Sequence, residues 1–353
     1  MAEKIYELRS DYIEIAEKVS KDTPQILMFL GGVDTGKTHT TVSFLKYFVH
    51  HGKKVGYIDA DIGQSNISVP GTIGYVKLEG KLDNFDEIKA TTVYFVGSIT
   101  PTRHLLPIIV GIKKMLDRAR EDGVDIVVLD TTGMIKGIGG RVLKEYIVEL
   151  IAPATVIALA RENELDHILK VIEKKNIKLY KFTSSERVKE KDQKHRKVNR
   201  ERKFRMYFSN AKEVVFDLKK YALIGTFYGT GSRMSDEELE KMSKEIGKNI
   251  IYGENIPEGY YLVTDEKVTS NDDAINRILI SKSWFKGLLV GLIDKNDFLV
   301  SMGIIKDFDL KGGMFTLITP IPDEKIKDVV TISFGALNLS PQGREIGKTL
   351  RLI

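Results

Sequence analysis

Residues 25–38 read QILMFLGGVDTGKT, and this stretch decides the fold of the N-terminal half of the chain. The short apolar run Gln25–Leu30 is typical of a buried parallel strand. The segment from Gly31 to Thr38 fits the pattern G-x-x-x-x-G-K-[ST], and helical character follows over Lys37–His50. A strand, a glycine-rich turn and a helix in this order predict a loop that binds phosphate through backbone N–H groups and the helix N-terminus.

Each residue of this loop is therefore a candidate for nucleotide binding. Lys37 is expected to reach the β and γ phosphates, and the hydroxyl of Thr38 is expected to ligate Mg²⁺. The predicted nucleotide-binding residues of the loop are Gly31, Gly32, Val33, Asp34, Thr35, Gly36, Lys37, Thr38 and His39. For the side chains of His39, His104 and Trp284, packing or a place on a helix surface is the simpler interpretation.

Outward from the loop, strand-like and helix-like segments alternate. We predict further strands at residues 54–58, 93–96, 125–129, 154–160 and 177–182. Helices are predicted at residues 1–21, 104–120, 142–150 and 165–173. This alternation indicates the α/β class, with a P-loop NTPase-type parallel sheet that has helices on both faces. Ligand-binding loops should then lie at the carboxyl ends of the strands.

The sequence pattern changes after about residue 212. One helix is predicted at Ser235–Ile246, which opens with the cap-like Ser-Asp-Glu-Glu. From Tyr260 onward, short apolar runs alternate with Asp, Asn, Gly and Pro turn residues. We predict a P-loop domain over residues 1–212 and a mostly β C-terminal domain over residues 213–353.

Length and composition exclude several classes of protein. The chain has 353 residues, enough for two domains, with 42% hydrophobic and 29% charged residues, as in folded globular proteins. It has no cysteine, so thiolate nucleophiles and disulfides are excluded, and a bound metal should have oxygen ligands. No signal peptide and no apolar run of ~20 residues is recognisable, so we predict a cytoplasmic protein with no membrane contact.

Two carboxylates follow the second predicted strand. Asp59 and Asp61 are two residues apart, with Gln64 close behind. If the chain turns there, both can face the nucleotide, one holding Mg²⁺ or its water and the other taking a proton. Spacing alone does not assign these roles, and acids of this kind also cap strand-to-helix turns.

Polar and glycine-rich segments close two more predicted strands. Thr100 ends the segment Gly97-Ser-Ile-Thr, and Asp130 begins the segment DTTGMIKGIGG that contains Lys136. Hydroxyls, glycine backbone and a lysine beside a phosphate site are suited to a phosphorylated or polyanionic acceptor. The alternative is that the glycines only shape the turn.

A basic block lies between Lys181 and Arg205, with eleven Lys or Arg residues against four acids. Arg196 and Arg200 are four residues apart, so a helix would place them on one face. Such arginines can close over a γ-phosphate, since phosphoryl transfer depends on alignment and on positive charge at the transferring group. The alternative is a solvated helix surface.

Together these motifs resemble the P-loop polynucleotide 5′-hydroxyl kinases, a family that includes the kinase subunit of the eukaryotic mRNA 3′-end cleavage factor, pre-rRNA-processing kinases and archaeal RNA kinases. The resemblance covers about residues 25–210, in the family's order. It implies transfer of the γ-phosphate of ATP or GTP, with Mg²⁺, to the 5′-hydroxyl of RNA or of DNA. Where this family usually has an asparagine and an aromatic residue, the chain has Asp130 and Met134.

The resemblance also assigns roles to residues. Lys37, Asp61, Arg200 and Arg205 would be catalytic, with Asp61 as the base and the two arginines in a lid over about residues 184–208. Thr131, Thr132 and Gly133 would clasp the triphosphate. Asp59 and Gln64 would support metal and substrate. Together with the residue patterns above, this predicts acceptor binding by Gln64, Thr100, Lys136 and Arg196 and a metal held by Thr38, Asp59 and Asp61.

Other functions remain open on sequence grounds. A nucleotide-dependent switch or scaffold in an RNA-processing complex would use the same P-loop with slow turnover or none. A GTPase is less favoured, because no N-K-x-D motif is found. The C-terminal domain is free to bind RNA, to bind a protein partner or to brace the P-loop domain.

Overall fold

The computed structural model describes residues 8–184, 192–269 and 276–348. Its contacts divide the chain into two compact units, residues 1–200 and 201–353. Helix α6 (Gln193–Tyr207) runs from the first unit into the second. The boundary predicted at residue 212 follows this helix, and the division into functional domains stays a prediction.

The first unit alternates strands and helices, as the sequence pattern indicates. Its elements in chain order are α1 (Ser10–Lys21), β1 (Gln25–Gly31), α2 (Lys37–His50), β2 (Val55–Ala60), β3 (Thr72–Leu78), β4 (Thr92–Phe95), α3 (Leu105–Glu121), β5 (Ile126–Thr131), α4 (Gly137–Ile151), β6 (Thr155–Ala160), α5 (Asp166–Ile172) and β7 (Lys178–Thr183).

These strands form one sheet in the order β4-β3-β2-β5-β1-β6-β7. Strands β2, β5, β1, β6 and β7 are mutually parallel, and β1 lies between β5 and β6. The α/β class is confirmed. Strand β3, which runs antiparallel to both neighbours, is missing from the sequence prediction because Gly74 interrupts its apolar run.

Two layers of helices cover the sheet. Helix α2 contacts β1, β2 and β5 and packs against α1, while α3 contacts β2, β3 and β4 and packs against α4. Residues such as Phe29, Phe44 and Phe48 fill the core under α2, and none of the three is exposed to solvent. Helix α4 begins at Gly137, before the predicted start at Val142, because its first turn is rich in glycine, a weak helix former.

The second unit is mostly β structure, as predicted. Its elements are β8 (Lys212–Asp217), β9 (Ala222–Ile224), β10 (Ser232–Arg233), α7 (Asp236–Ile246), β11 (Ile250–Ile256), β12 (Gly259–Thr264), β13 (Arg277–Ser281), β14 (Leu288–Ile293), β15 (Leu299–Asp309), β16 (Met314–Thr319), β17 (Thr331–Leu339) and β18 (Glu345–Lys348).

Strands β10 to β13 form one sheet, and the remaining strands of this unit form another, in which β9 pairs with β17. The predicted capping box at the start of α7 is present, because Ser235 and Glu238 exchange side-chain to backbone hydrogen bonds. Among all the helices in the described ranges, none has the length and apolar character needed to cross a membrane.

Candidate active site

The glycine-rich loop between β1 and α2 has the backbone of a phosphate-binding turn. Gly36, the residue before α2, has a φ of 87°, a left-handed conformation that glycine adopts without steric cost. Asp34 is also left-handed, with a φ of 54°. Its carboxylate pairs with Arg196 at 2.5 Å, and its carbonyl accepts a hydrogen bond from Arg161 at 2.9 Å. Two arginines that lie outside the loop therefore stabilise its conformation.

Lys37 points back into this loop. Its Nζ donates to the carbonyl of Gly32 at 2.5 Å, and the residue is only 7% exposed. Burial lowers the pKa of Lys37, while the nearby carboxylates of Asp130 and Asp61 act against that shift. The ammonium therefore lies where a loop-bound phosphate would neutralise it.

Asp130 lies at the carboxyl end of β5, directly beside the loop. The hydroxyl of Thr38 donates to its Oδ2 at 2.9 Å, and its Oδ1 is buried with no hydrogen-bond partner among the described residues. Burial raises the pKa of Asp130 to about 7, although Lys37 opposes the shift. From the sequence, Asp130 is a departure from the family, an added carboxylate expected to weaken phosphate binding or to recruit the metal, and it is not among the predicted site residues. The apolar run Ile126–Leu129 ahead of it indicates a buried strand, and an acid at the carboxyl end of such a strand lies beside the phosphate loop.

Asp59, its neighbour at the end of β2, is committed to the turn that follows. It is fully buried, and its carboxylate accepts hydrogen bonds from the backbone of Asp61 and Asn66 and from the hydroxyl of Ser65. Burial raises the pKa of Asp59 to about 6, against the effect of these hydrogen bonds. Its place in the structure is that of an acid that organises the turn.

Asp61 has a different environment. Its Oδ1 accepts from the backbone N–H of Gly63 at 3.0 Å and of Gln64 at 3.1 Å. In the ranges that the structure describes, Oδ2 accepts no hydrogen bond. The side chain of Gln64 donates to the carbonyl of Arg196 at 3.3 Å. A Cβ on Gly63 would lie 3.1 Å from the carbonyl oxygen of Ile99, so the segment that ends at Thr100 also borders this turn.

The predicted clasp, which consists of Thr131, Thr132 and Gly133, is packed directly on the phosphate loop. A Cβ on Gly133 would lie 2.7 Å from Cγ2 of Val33 and 3.0 Å from its backbone, so only glycine fits there. Thr131 is fully buried, and its hydroxyl donates to the carbonyl of Phe29 at 2.8 Å. The Thr131 hydroxyl thus joins β5 to β1, and the predicted contact of this residue with nucleotide stays a prediction.

Lys144, which the sequence analysis does not single out, forms a hydrogen bond with the predicted clasp. Lys144 of α4 is completely buried, and its Nζ donates to the carbonyl of Thr132 at 2.6 Å. Burial lowers the pKa of Lys144 to about 7, with a smaller contribution from the charge of Lys37. The signal was helical spacing, because Lys144 lies on the same buried face of α4 as Gly140, Ile147 and Ile151.

The remaining predicted residues lie in varied positions. Arg196 is brought to the phosphate loop through Asp34, and Arg200 is half-buried in the same helix. Arg205 is exposed and belongs to the second unit. His39 is exposed on α2 and Lys136 is exposed just before α4, and their predicted contacts with nucleotide and acceptor stay predictions. Residues 185–191 of the predicted lid lie outside the described residues.

The side chains around Thr38 are suited to Mg²⁺. No group of three or more His, Cys, Asp or Glu that could hold a metal is found in the described residues. Mg²⁺ in nucleotide sites, however, takes one or two protein ligands and fills the rest of its octahedron with phosphate oxygens and water. The unpartnered Oδ1 of Asp130, beside the Thr38 hydroxyl, supplies that kind of oxygen ligand.

The fold and this site define a P-loop nucleotide-binding protein. Residues 31–210 match the family described as the mRNA cleavage and polyadenylation factor CLP1 P-loop. The chain belongs to this family.

Relatives over nearly the full chain are named as kinases. A polyribonucleotide 5′-hydroxyl-kinase of Methanocaldococcus jannaschii is 34% identical over 92% of this chain and 90% of its own length. One from Pyrococcus abyssi is 33% identical over 96% of this chain and 94% of its own. Human Clp1, named as the same kind of kinase, is 25% identical over 90% of this chain and 73% of its own.

A solved structure shares the fold. Clp1p, in the structure of its complex with Pcf11p, superimposes with a TM-score of 0.62 at 13% identity, covering 93% of this chain and 78% of that one.

Proposed function

We propose that, with Mg²⁺, this chain transfers the γ-phosphate of ATP or GTP to the 5′-hydroxyl of RNA and, as a second acceptor, of DNA. The observation that carries the proposal is Asp61. It follows the strand next to β5, has one oxygen committed to its turn and the other available, and lies near enough to Lys37 to affect its pKa. The kinase names of the archaeal relatives support the same reaction.

In this proposal Asp61 is the base. The 5′-hydroxyl oxygen attacks the γ phosphorus as its proton passes to Oδ2 of Asp61, and the bond from the γ phosphorus to the bridging oxygen breaks, releasing the nucleoside diphosphate. Oδ1 keeps the hydrogen bonds of the turn, so the carboxylate does not need to rotate. Gln64 and Thr100 border the same turn and are proposed to position the acceptor, together with Lys136.

The nucleotide would be held by the loop and the clasp. Lys37 would exchange its hydrogen bond with Gly32 for phosphate oxygens, because a charged acceptor binds an ammonium more strongly than a carbonyl does. Thr38 and Asp130 would hold Mg²⁺, which neutralises phosphate charge when bound. We propose Asp130 for this role in place of Asp59, whose oxygens already serve the turn.

The arginines of α6 are proposed as the lid. Arg196 is paired with Asp34 of the phosphate loop, which supports a position near the triphosphate. Arg200 and Arg205, further along the helix, are proposed to stabilise negative charge in the transition state. Clp1p was solved with a protein partner, and a partner that binds the second unit of this chain is likewise a proposal.

Phosphate transfer itself tests the function. γ-Labelled ATP and GTP are each incubated with RNA and DNA oligonucleotides that carry a 5′-hydroxyl, with Mg²⁺, and with Lys37→Ala as the control. Label on the 5′ end that depends on Lys37 is the expected result, and the four combinations give donor and acceptor preference. No label from protein that still binds nucleotide would contradict the kinase and favour the switch or scaffold.

A further inference from the structure

A cavity opens on the second unit, beside the end of α6. Its volume is about 540 Å³, and its wall includes two arginines. The lining residues are Arg205, Phe208, Ser209, Pro341, Gln342 and Arg344. None of them belongs to the phosphate loop, the clasp or the Asp61 turn.

A tight turn builds this cavity. Gly343 has a φ of 77°, and a Cβ on it would lie 2.7 Å from the backbone nitrogen of Arg205, so the turn packs directly on the helix backbone. Ser340 closes the turn, because its N–H donates to the carbonyl of Arg344 at 2.8 Å and its hydroxyl accepts from the N–H of Arg344 at 3.2 Å. Both arginines are thus carried by fixed backbone.

The lining is chemically suited to phosphate. Its described residues supply two guanidiniums, an amide and a hydroxyl, with Phe208 and Pro341 as apolar surface, and none of them is a carboxylate. Two acids lie close by, Glu201 and Glu345, and the Glu201 carboxylate accepts the backbone N–H of Glu345 at 3.0 Å. A guanidinium group can donate two parallel hydrogen bonds to the oxygens of one phosphate. Proteins bind single-stranded nucleic acid in grooves that combine positive charge with aromatic side chains.

We infer that this cavity binds the phosphodiester backbone of the RNA substrate, an inference that rests on the proposed kinase function. Arg205 and Arg344 hold phosphate oxygens there, and Gln342 and Ser209 supply neutral hydrogen bonds. Because the contacts are to phosphate, binding at this cavity is independent of base sequence. Arg205 then has a role in holding RNA as well as the role in the lid proposed above.

Arg344→Ala tests the inference, since Arg344 is exposed and has no part in the reaction at Asp61. Binding of a 3′-labelled, single-stranded 20-nucleotide RNA with a 5′-hydroxyl is measured by fluorescence anisotropy, without nucleotide, at several NaCl concentrations. Arg344→Ala is expected to weaken binding about 5- to 20-fold. The slope of log K against log salt should become shallower by about 0.7, as for one lost single-strand phosphate contact.

Two variants serve as controls. Arg344→Lys keeps the charge but not the paired geometry and should fall between wild type and Arg344→Ala. Arg233→Ala removes an exposed arginine of the same unit that does not line the cavity, and should bind RNA as wild type does. In the transfer assay, Arg344→Ala should raise KM for this RNA by a similar factor and leave kcat unchanged.

Wild-type affinity and salt slope in Arg344→Ala would overturn the inference, as would equal losses in Arg344→Ala and Arg233→Ala. The binding experiment contains no phosphate donor. If the kinase proposal fails, transfer will be absent while Arg344→Ala still weakens RNA binding. If this inference fails, transfer will be normal and Arg344→Ala will not weaken RNA binding.

Discussion

Replacing Lys144 with methionine is expected to make the first unit more stable at low pH and the enzyme slower. The ammonium of Lys144 is fully buried, and it donates to the carbonyl of Thr132 at 2.6 Å. Methionine has a similar length and volume but no charge. The exchange therefore removes a desolvated cation together with the hydrogen bond that supports the clasp.

The magnitude follows from the pKa. Burial lowers the pKa of Lys144 from 10.5 to about 7. At 1.36 kcal/mol per pKa unit, holding the charged form in the folded state costs about 5 kcal/mol. Because the folded-state pKa is the lower one, this cost is fully present below pH 7 and falls away as pH rises toward 10.5. The substitution also leaves the carbonyl of Thr132 without its hydrogen-bond donor, and this loss offsets about 1–3 kcal/mol of the gain in stability.

The free energy of unfolding of Lys144→Met should therefore exceed that of wild type by about 2–4 kcal/mol near pH 6 and by about zero near pH 9. Denaturant unfolding at both pH values measures this. Lys113→Met is the matched control, because Lys113 is partly exposed on α3 and its substitution should change stability by less than about 0.5 kcal/mol. A loss of stability at pH 6, or an equal gain at both pH values, would refute the reasoning.

Four further substitutions test the site. Gly133→Ala should weaken nucleotide binding severalfold at equilibrium, since its Cβ would lie 2.7 Å from Cγ2 of Val33, and unchanged affinity would contradict the close packing of clasp on loop. Asp130→Asn should raise the Mg²⁺ concentration needed for half-maximal transfer, while Asp59→Asn should leave it unchanged; the reverse pattern would restore Asp59 as the metal ligand. Arg200→Ala should lower kcat more than it weakens ATP binding, because lid charge acts as the transition state forms. Equal effects on the two would indicate a role in the ground state.

Much of the fold follows from the local pattern of the sequence. The buried strand at Gln25–Gly31 and the glycine turn after it define the centre of the sheet, because a parallel strand covered on both faces must be apolar throughout. Strand β3 could not be predicted in the same way. The strand includes Gly74 and Lys77, which weaken its apolar pattern. Its backbone hydrogen bonds are formed with β2 and β4, and the local sequence does not show that these partners are present.

The candidate site was predictable where a motif carries the chemistry. The phosphate loop and the acids after β2 were visible as patterns, but the different environments of Asp59 and Asp61 were not. They depend on which backbone N–H groups the turn from Asp61 to Ile67 presents to each carboxylate. The hydrogen bond from Lys144 to Thr132 joins a helix to the end of a strand, and only packing brings those two together.

The most direct test of the account is the single-turnover rate of phosphate transfer by Asp61→Asn, with saturating ATP, Mg²⁺ and a 5′-hydroxyl RNA. Asparagine keeps an oxygen for the N–H groups of Gly63 and Gln64, so the turn should persist, but it cannot accept the proton. A rate lower by about 10²–10⁴-fold, with ATP binding unchanged, is the predicted result. Transfer at the wild-type rate would contradict the assignment of Asp61 as the base.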